Sequence, residues 1–323
     1  MRRMTLTVFA VLAGLVAMSP LTSAAGLQSL NVDGPQPERA TMEVMIWYPS
    51  AEKPTDNQIG PFTPHVALIG KIQGRGLPLV VITHGTGGSN LNHFDTAAAL
   101  ADAGFVVVAL MHPHDNYRDN SQAFGPLNFR QRPREVSTLI DYMLQEWPDH
   151  AAIDPARIGV LGHSAGGATA LLLAGGVLDW SKVAAFCAAA VGDWGCDQAK
   201  LHPPAPSSDT SLITAPDPRV KAIILAAPAI THGFAAQNIH IPVQFWIGDK
   251  DEEVSDTITF PSRFPGMDTH IIPNGGHFAY FAMCSAWLKS IAPDICADPP
   301  GFDRPAFLPQ FQAGVIGFFK TKL

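Results

Sequence analysis

The 323-residue chain has few charged residues and no dense group of basic ones. Asp, Glu, Lys and Arg make up 15% of it, and the formal net charge is −7 at pH 7. A surface that binds nucleic acid needs clustered lysine and arginine, so we expect no nucleic-acid partner. After the first 25 residues the sequence also lacks an uninterrupted apolar stretch of about 20 residues, the length that spans a bilayer. We therefore expect no stable membrane anchor in the remainder of the chain.

Cysteine is scarce, and its spacing excludes the common metal and redox motifs. The four cysteines are Cys187, Cys196, Cys284 and Cys296, and no two of them form a C-x-x-C pair. Four cysteines allow three disulfide connectivities, of which the short loops favour Cys187–Cys196 with Cys284–Cys296. Four buried free thiols are the alternative.

Residues 1–25 have the layout of a secretory signal peptide. Two arginines precede an apolar run from Val8 to Val16, and small residues occupy positions 23–25. The apolar run is too short to span a bilayer. We predict cleavage after Ala25 and a secreted or periplasmic protein, with an uncleaved membrane anchor as the alternative.

Residues 26–323 are predicted to form one α/β domain. Buried-type strands at 78–83, 105–113 and 157–164 alternate with helical segments at about 91–103 and 134–147 and after Ser164. This alternation implies right-handed crossovers in a mostly parallel sheet with helices on both faces. Further strands are predicted at 41–48, 220–228, 241–248 and 268–273, further helices at about 278–291 and 307–319, and a loop at 49–76.

The segment from about Leu178 to Pro216 has no clear period. It is rich in Trp, Cys, Pro and Ser. We expect a small insertion over the sheet edge, pinned by a Cys187–Cys196 disulfide. Its rigidity should narrow the neighbouring cleft.

Ser164 stands at the centre of the pentapeptide Gly162-His163-Ser164-Ala165-Gly166, between a strand and a helix. A G-x-S-x-G run needs glycines because a nucleophile at a sharp strand-to-helix turn has strained backbone angles and close neighbours. The pattern therefore predicts a nucleophilic serine at residue 164. A glycine-rich helix start that only packs closely or binds phosphate is the alternative.

A serine nucleophile needs a base and an acid, which follow it along the chain in the order acid, then histidine. Of the histidines beyond the last acid-bearing strand, His277 lies in the loop NGGHF, whereas His270 falls inside a strand. We assign His277 as the base. The loop GDKDEEV offers Asp249, Asp251 and two glutamates, and we choose Asp251, with Asp249 as the second candidate.

Two backbone N–H groups should stabilise a negatively charged oxygen. The residue after the nucleophile, Ala165, supplies one, and the loop HGTGG at 84–88 supplies the other, most simply through Thr86. An ordinary turn is the alternative for HGTGG. The nearby His112, His114 and Asp115 match no zinc spacing, so we expect a polar loop at the rim of the sheet, with no metal and no cofactor.

The motifs GHSAGG, HGTGG, GDKDEEV and GGHF, in this order, resemble the α/β-hydrolase superfamily across nearly the whole predicted mature chain. Within it, VVITHGTGGS, ALMHPHDNY, RPREV, GHSAGGAT and HFAYFAMCS resemble bacterial dienelactone hydrolases related to platelet-activating factor acetylhydrolase. The resemblance implies an α/β-hydrolase fold and hydrolysis of carboxylic esters by Ser164, Asp251 and His277. It also implies a small-molecule or polymer ester as substrate. We expect a monomer.

Two departures from the relatives stand out. Eukaryotic acetylhydrolases place the acid after the preceding strand, where this chain has LAAPAI, and dienelactone hydrolases proper use a cysteine nucleophile, where it has Ser164. The expected activity is therefore that of a serine esterase with a preference for short acyl chains. A polyesterase or cutinase-like enzyme, a lipase, and a catalytically silent binding protein are the alternatives.

Overall fold

The fold is built on a large sheet whose strands occur throughout the chain. The computed structural model describes residues 24–190, 194–201, 212–254 and 257–323. The strands within these ranges are β1 (Ala24–Asp33), β2 (Thr41–Ser50), β3 (Thr55–Asp56), β4 (His65–Leu68), β5 (Leu77–Thr83), β6 (Val106–Leu110), β7 (Ile153–His163), β8 (Val177–Asp179), β9 (Leu212–Ile213), β10 (Val220–Ala226), β11 (Phe234–Ala235), β12 (Val243–Gly248) and β13 (Asp268–Ile272).

Ten of the described strands form the main sheet, in the order β13-β12-β10-β7-β5-β6-β2-β1-β4-β3. The six strands from β13 to β6 are parallel, and β2 and β1 continue the sheet as antiparallel strands. The predicted mostly parallel sheet is therefore present. Because β7 and β5 are central, the loops that follow them lie near the middle of the carboxyl edge.

Helices cover both faces of the sheet, as the alternating pattern predicts. Helix α1 packs beside α8, and α2 packs beside α3. Every residue of α3 is buried, which explains why this segment is apolar all round rather than amphipathic. The helices are α1 (Phe94–Asp102), α2 (Pro126–Gln145), α3 (Ala165–Leu173), α4 (Trp180–Ala189), α5 (Trp194–Leu201), α6 (Ala286–Ile291), α7 (Pro293–Cys296) and α8 (Arg304–Lys322).

The core lies along the parallel strands, whose continuous β-branched runs are buried on both sides. Val81 pairs with Val108 on one side and Val160 on the other, and all three have no exposed surface. Such runs are expected where helices cover both faces of a sheet. The packed centre gives the loops at the carboxyl edge a rigid support.

The segment predicted to be an insertion contains regular structure that its composition does not reveal. Helices α4 and α5 lie in it, and Cys187 is bonded to Cys196 between them. The short strands β8 and β9 pair with each other and β11 pairs with β8, which gives a three-stranded sheet. Residues 191–193 and 202–211 of this segment lie outside the described residues.

Several sequence-based boundaries are wrong. The helix predicted at 278–291 is present only as α6, since residues 278–285 form turns and loop. Helix α2 begins at Pro126, before the predicted start at Arg134, and it continues through Pro133. The short strands β3 and β4 lie in the predicted loop at 49–76, and β1 was not predicted.

The predicted signal peptide falls almost entirely outside the described residues, which begin at Ala24. The predicted cleavage position after Ala25 lies within β1, where Ala25 pairs with Pro49. Among the helices of the described ranges, none combines the length and apolar character needed to cross a membrane.

Candidate active site

Ser164 occupies a strained turn between β7 and α3. Its backbone has φ 52° and ψ −118°, values that a residue with a side chain rarely adopts. A Cβ atom at Gly162 would lie 2.1 Å from the carbonyl oxygen of Gly166, and one at Gly166 would lie 1.9 Å from that of Thr83. The two glycines of the pentapeptide are therefore required by close backbone approach, as the motif implies.

The imidazole of His277 is hydrogen-bonded to the carboxylate of Asp251. Nδ1 of His277 lies 2.9 Å from Oδ2 and 3.1 Å from Oδ1 of Asp251. Both side chains are buried, with exposures of 7% and 1%. Since a carboxylate can only accept, Nδ1 carries the proton and Nε2 is left as the basic nitrogen.

A tight turn after β12 holds the Asp251 carboxylate. Its Oδ1 also accepts the backbone N–H groups of Glu253, at 3.1 Å, and Val254, at 3.3 Å. Asp249, the second candidate, is exposed, and its carboxylate accepts the N–H of Asn274 at 2.7 Å. The structure thus places the Asp251 carboxylate against His277, whereas the Asp249 carboxylate binds the neighbouring loop at Asn274.

The loop HGTGG follows β5 beside the nucleophile. A Cβ on Gly85 would lie 3.0 Å from Cβ of Ser164, and the N–H of Gly88 donates to the carbonyl of Gly85 at 3.1 Å. Thr86 lies inside this small turn. Ala165 is the first residue of α3, so its N–H has no acceptor within the helix. The two predicted oxyanion donors therefore belong to adjacent backbone turns.

His163 connects the nucleophile turn to the histidine loop. Its Nε2 donates to the carbonyl oxygen of His277 at 2.9 Å, and the two ring centroids are 4.8 Å apart. Burial, reinforced by His277 and His93, holds the pKa of His163 well below its usual value. A neutral His163 has a single N–H, which this contact places on Nε2.

Sequence reasoning missed a buried polar network behind the HGTGG loop. Asp115 and Arg132 form an ion pair at 2.5 Å, and both side chains are almost completely buried. The expected polar loop at the sheet rim therefore lies partly inside the protein. The signal available in the sequence was the charged run RPRE within a helix whose other face is apolar.

His112 and Glu135 form a second buried pair in this network. Nδ1 of His112 lies 2.6 Å from Oε2 of Glu135, and Nε2 lies 2.7 Å from Oγ1 of Thr83. Burial raises the pKa of Glu135 to about 8, against the opposing charge of Arg132. Burial, together with Arg132, lowers the pKa of His112 well below its usual value. At neutral pH this contact is a hydrogen bond between two uncharged groups.

A shallow cleft lies next to backbone contacts of Ser164 and Asp251, but neither residue is among the described residues that line it. Ile230 is one of the lining residues. It follows Ala229 in the chain, and the N–H of Ala229 donates to the carbonyl of Ser164 at 3.0 Å. Val254 lines the cleft from the turn that holds Asp251. The cleft measures about 270 Å³ with its open mouth included, and its remaining lining residues are Phe124, Cys187, Gly195, Cys196, His232 and Glu253.

Known proteins of similar fold include enzymes. A ferulic acid esterase from Streptomyces cinnamoneus superposes with a TM-score of 0.62 at 17% identity, over 96% of this chain and 92% of that chain. A dienelactone hydrolase from Anabaena variabilis gives 0.49 at 13% identity, over 94% and 99%. No curated protein matches the sequence significantly. The model of the dienelactone hydrolase family matches residues 66–259, more than half of the chain, and the protein belongs to that family.

Proposed function

We propose that the protein is an exported serine hydrolase that cleaves carboxylic esters through an acyl-enzyme. The hydrogen bond from His277 to Asp251, beside a serine at a strained strand-to-helix turn, carries the proposal. Membership of the dienelactone hydrolase family supports it. The described residues of 26–323 act as one catalytic domain in this proposal, with the segment at about 178–216 as an insertion.

In the proposed reaction Nε2 of His277 takes the hydroxyl proton of Ser164 as Oγ attacks the ester carbonyl carbon. The carbonyl oxygen becomes an oxyanion that accepts the N–H groups of Thr86 and Ala165. The C–O bond to the alcohol then breaks, and the imidazolium returns its proton to the leaving alkoxide. Water, activated by the same imidazole, releases the acid and regenerates Ser164. Asp251 holds the reactive tautomer of His277 throughout.

The cleft supports a preference for esters with short acyl chains. The disulfide between Cys187 and Cys196 forms part of its wall, so this side cannot open as a loose apolar lid. Acyl groups of about two to six carbons should fit, because each additional buried CH₂ adds about 0.8 kcal/mol only while room remains.

Export is supported by the predicted signal peptide and by the second disulfide, Cys284–Cys296, in addition to the first. Disulfides persist in secreted and periplasmic proteins and are rare in reducing compartments. We propose that the mature chain begins after Ala25 and works as a monomer.

Labelling with a fluorophosphonate, which reacts with activated serines, tests the mechanism directly. The wild-type protein should be labelled at Ser164 and the Ser164→Ala variant should not. Absence of labelling in the wild type would favour a silent binding protein.

A panel of p-nitrophenyl esters from acetate to palmitate tests the substrate class. We expect kcat/KM to be highest between two and six acyl carbons. Methyl ferulate, a polyester film and a phospholipid belong in the same panel. A value that keeps rising to palmitate would indicate a lipase, and release of soluble products from the film would indicate a polyesterase.

A further inference from the structure

The guanidinium of Arg132 connects three separate parts of the candidate site. It lies in α2 and is 1% exposed. Nη1 donates to Oδ2 of Asp115 at 2.5 Å, Nε donates to Oγ1 of Thr169 at 3.2 Å, and Nη2 donates to the carbonyl oxygen of His84. Nη2 also lies 3.4 Å from Oγ1 of Thr83. One planar group therefore contacts the end of β5, the loop after β6 and the nucleophile helix α3.

The HGTGG loop is held on both sides of Thr86 by this group and its counterion. His84 gives its carbonyl oxygen to Arg132, and Gly87 donates its N–H to Oδ1 of Asp115 at 3.0 Å. Asp115 itself has no exposed surface. Since the tied residues flank the dipeptide at 85–86, the direction of the Thr86 N–H is fixed from both ends.

The same guanidinium reaches the second oxyanion donor through Thr169. The hydroxyl of Thr169 accepts from Nε of Arg132 and donates to the carbonyl oxygen of Ala165 at 2.9 Å. Ala165 is the first residue of α3, immediately after Ser164. The chain of contacts thus runs from the Thr86 turn, through one rigid side chain, to the carbonyl of Ala165, which lies one peptide beyond the N–H next to Ser164.

We propose that Arg132 is a positioning residue that fixes the separation of the two oxyanion donors, with Asp115 and Thr169 as its relays. The inference rests on the proposed function, because the N–H groups of Thr86 and Ala165 act together only if Ser164 attacks an ester. A guanidinium suits this role because its donors form a rigid planar fork, whereas a lysine ammonium is a single point on a flexible stem. Arg132 does not touch the substrate in this proposal.

One single and one double variant test this clamp, by which we mean the contacts of Arg132 with His84, Asp115 and Thr169. Both variants keep the interior free of an unpaired charge. Thr169→Val leaves the ion pair intact and removes the hydroxyl relay, and Thr169→Ser restores it. The double variant Arg132→Met with Asp115→Asn removes both charges together. Arg219→Met is the control, because the partly exposed Arg219 pairs with Asp217 at 2.6 Å and Asp141 at 2.5 Å at the opposite, amino end of β10. After this substitution Asp217 still accepts from the backbone N–H of residue 219 and from the hydroxyl of Ser137.

Kinetics with p-nitrophenyl acetate and a trifluoromethyl ketone, which forms a tetrahedral adduct with an activated serine, measure transition-state stabilisation. We expect kcat to fall roughly tenfold in Thr169→Val and about 100-fold in the double variant, with little change in KM. Affinity for the ketone should fall by the same factors as kcat/KM. Thr169→Ser should recover most of the activity, and Arg219→Met should retain it.

Hydrogen exchange at the amides of residues 84–88 measures the clamp without any turnover. We expect exchange at least about tenfold faster in the double variant than in the wild type or in Arg219→Met. Unchanged exchange in the double variant would overturn the clamp, whether or not the wild type hydrolyses esters. Absence of ester hydrolysis by the wild type would overturn the proposed function separately. Faster exchange with unchanged kcat, or an equal loss of kcat in Arg219→Met, would also overturn the positioning role.

Discussion

The two halves of the candidate site are held in place by different chemistry. On the side of β5 and α3, the HGTGG loop is tied by a buried ion pair between Arg132 and Asp115. On the side of β12 and β13, the His277 loop is tied by the neutral imidazole of His163, and the Asp251 carboxylate is tied by backbone N–H groups. The first half depends on charges away from water, whereas the second depends mainly on uncharged donors.

The difference predicts how each half responds to damage. Removal of one partner of a buried ion pair leaves an uncompensated charge and costs about 3–5 kcal/mol of stability. Loss of a neutral hydrogen-bond donor costs only about 1–3 kcal/mol when a buried carbonyl is left unsatisfied. Loss of a single charge from the half that holds the HGTGG loop should therefore endanger folding, while substitutions around His277 should produce stable proteins with impaired kinetics.

The largest expected effect comes from the residues that link the two halves chemically. Ser164→Ala and His277→Ala should each lower kcat by about 10³-fold or more, because the nucleophile and the base act as a unit. The double variant should lose little more than either single variant. Turnover of p-nitrophenyl acetate measures kcat in each variant. Full activity in either single variant would contradict the proposed mechanism.

The acid comes next, and the chain offers its own control two residues away. Asp251→Asn should lower kcat by about 10²- to 10³-fold, less than loss of the nucleophile or the base, since an amide no longer fixes the tautomer of His277. Asp249→Asn should leave kcat within a few-fold, because that carboxylate bonds only to the Asn274 loop in the described contacts. The reverse ranking would transfer the acid role to Asp249.

A smaller effect is expected from replacing His163, whose neutral imidazole holds the His277 loop. His163→Phe keeps a ring among its aromatic neighbours and removes the donor to the His277 carbonyl. We expect kcat to fall roughly tenfold through misplacement of the base, with a thermal midpoint only a few degrees lower. His93→Phe is the control, since His93 donates to the carbonyl of Tyr280 instead. Equal losses in both variants would contradict a specific tie.

The smallest effect on kcat is expected at Glu135, where the prediction concerns stability instead, because burial raises the pKa of Glu135 from 4.5 to about 8. The folded state then holds a proton between these values that the unfolded state has lost, so stability falls as pH rises through this window. The slope is at most about 1.4 kcal/mol per pH unit. The charged or titratable groups that face Glu135 are His112, Arg132, Asp115, Glu38 and Arg134.

Urea unfolding at pH 5, 7 and 9 tests this sign. Glu135→Gln stays neutral and can donate to His112, so it should lose less stability on going from pH 5 to pH 9 than the wild type. Glu146→Gln, at the exposed end of the same helix, should follow the wild-type curve. Equal declines in the wild type and Glu135→Gln would show that the carboxyl group is already ionised in the folded protein at pH 5.

The sheet was predictable because its central strands are continuous runs of apolar residues. VVVAL and AIILA contain only residues that favour a fully buried parallel strand, and their order fixes the crossovers. The short strands β3 and β4 carry no comparable pattern. The helix predicted to begin at residue 278 is absent there. The apolar side chains of FAYFAMCS pack around His163 and α8 and do not form one face of a helix.

The candidate site was predictable where chemistry constrains the local sequence. The glycines around Ser164 and the loop position of His277 follow from the reaction and from backbone sterics, although their catalytic roles stay predictions. Arg132 and Asp115 are separated by 17 residues and meet only through the packing of α2 against the sheet. The run RPRE places charges in a helix with an apolar face, but it does not indicate which charge pairs with Asp115, so only the fold brings the two together.

The cleft lined by Ile230 and Val254 is walled in part by a bond between two sulfur atoms, from Cys187 and Cys196. Such a wall exists only where thiols are oxidised. The same polypeptide held in a reducing cytoplasm would carry two separate thiols here, and the bond that fastens α4 to α5 would be absent. In the proposed function, the preference among esters would therefore depend on redox history as well as on sequence. Kinetic constants measured after purification with a thiol reductant would then refer to a protein without this wall.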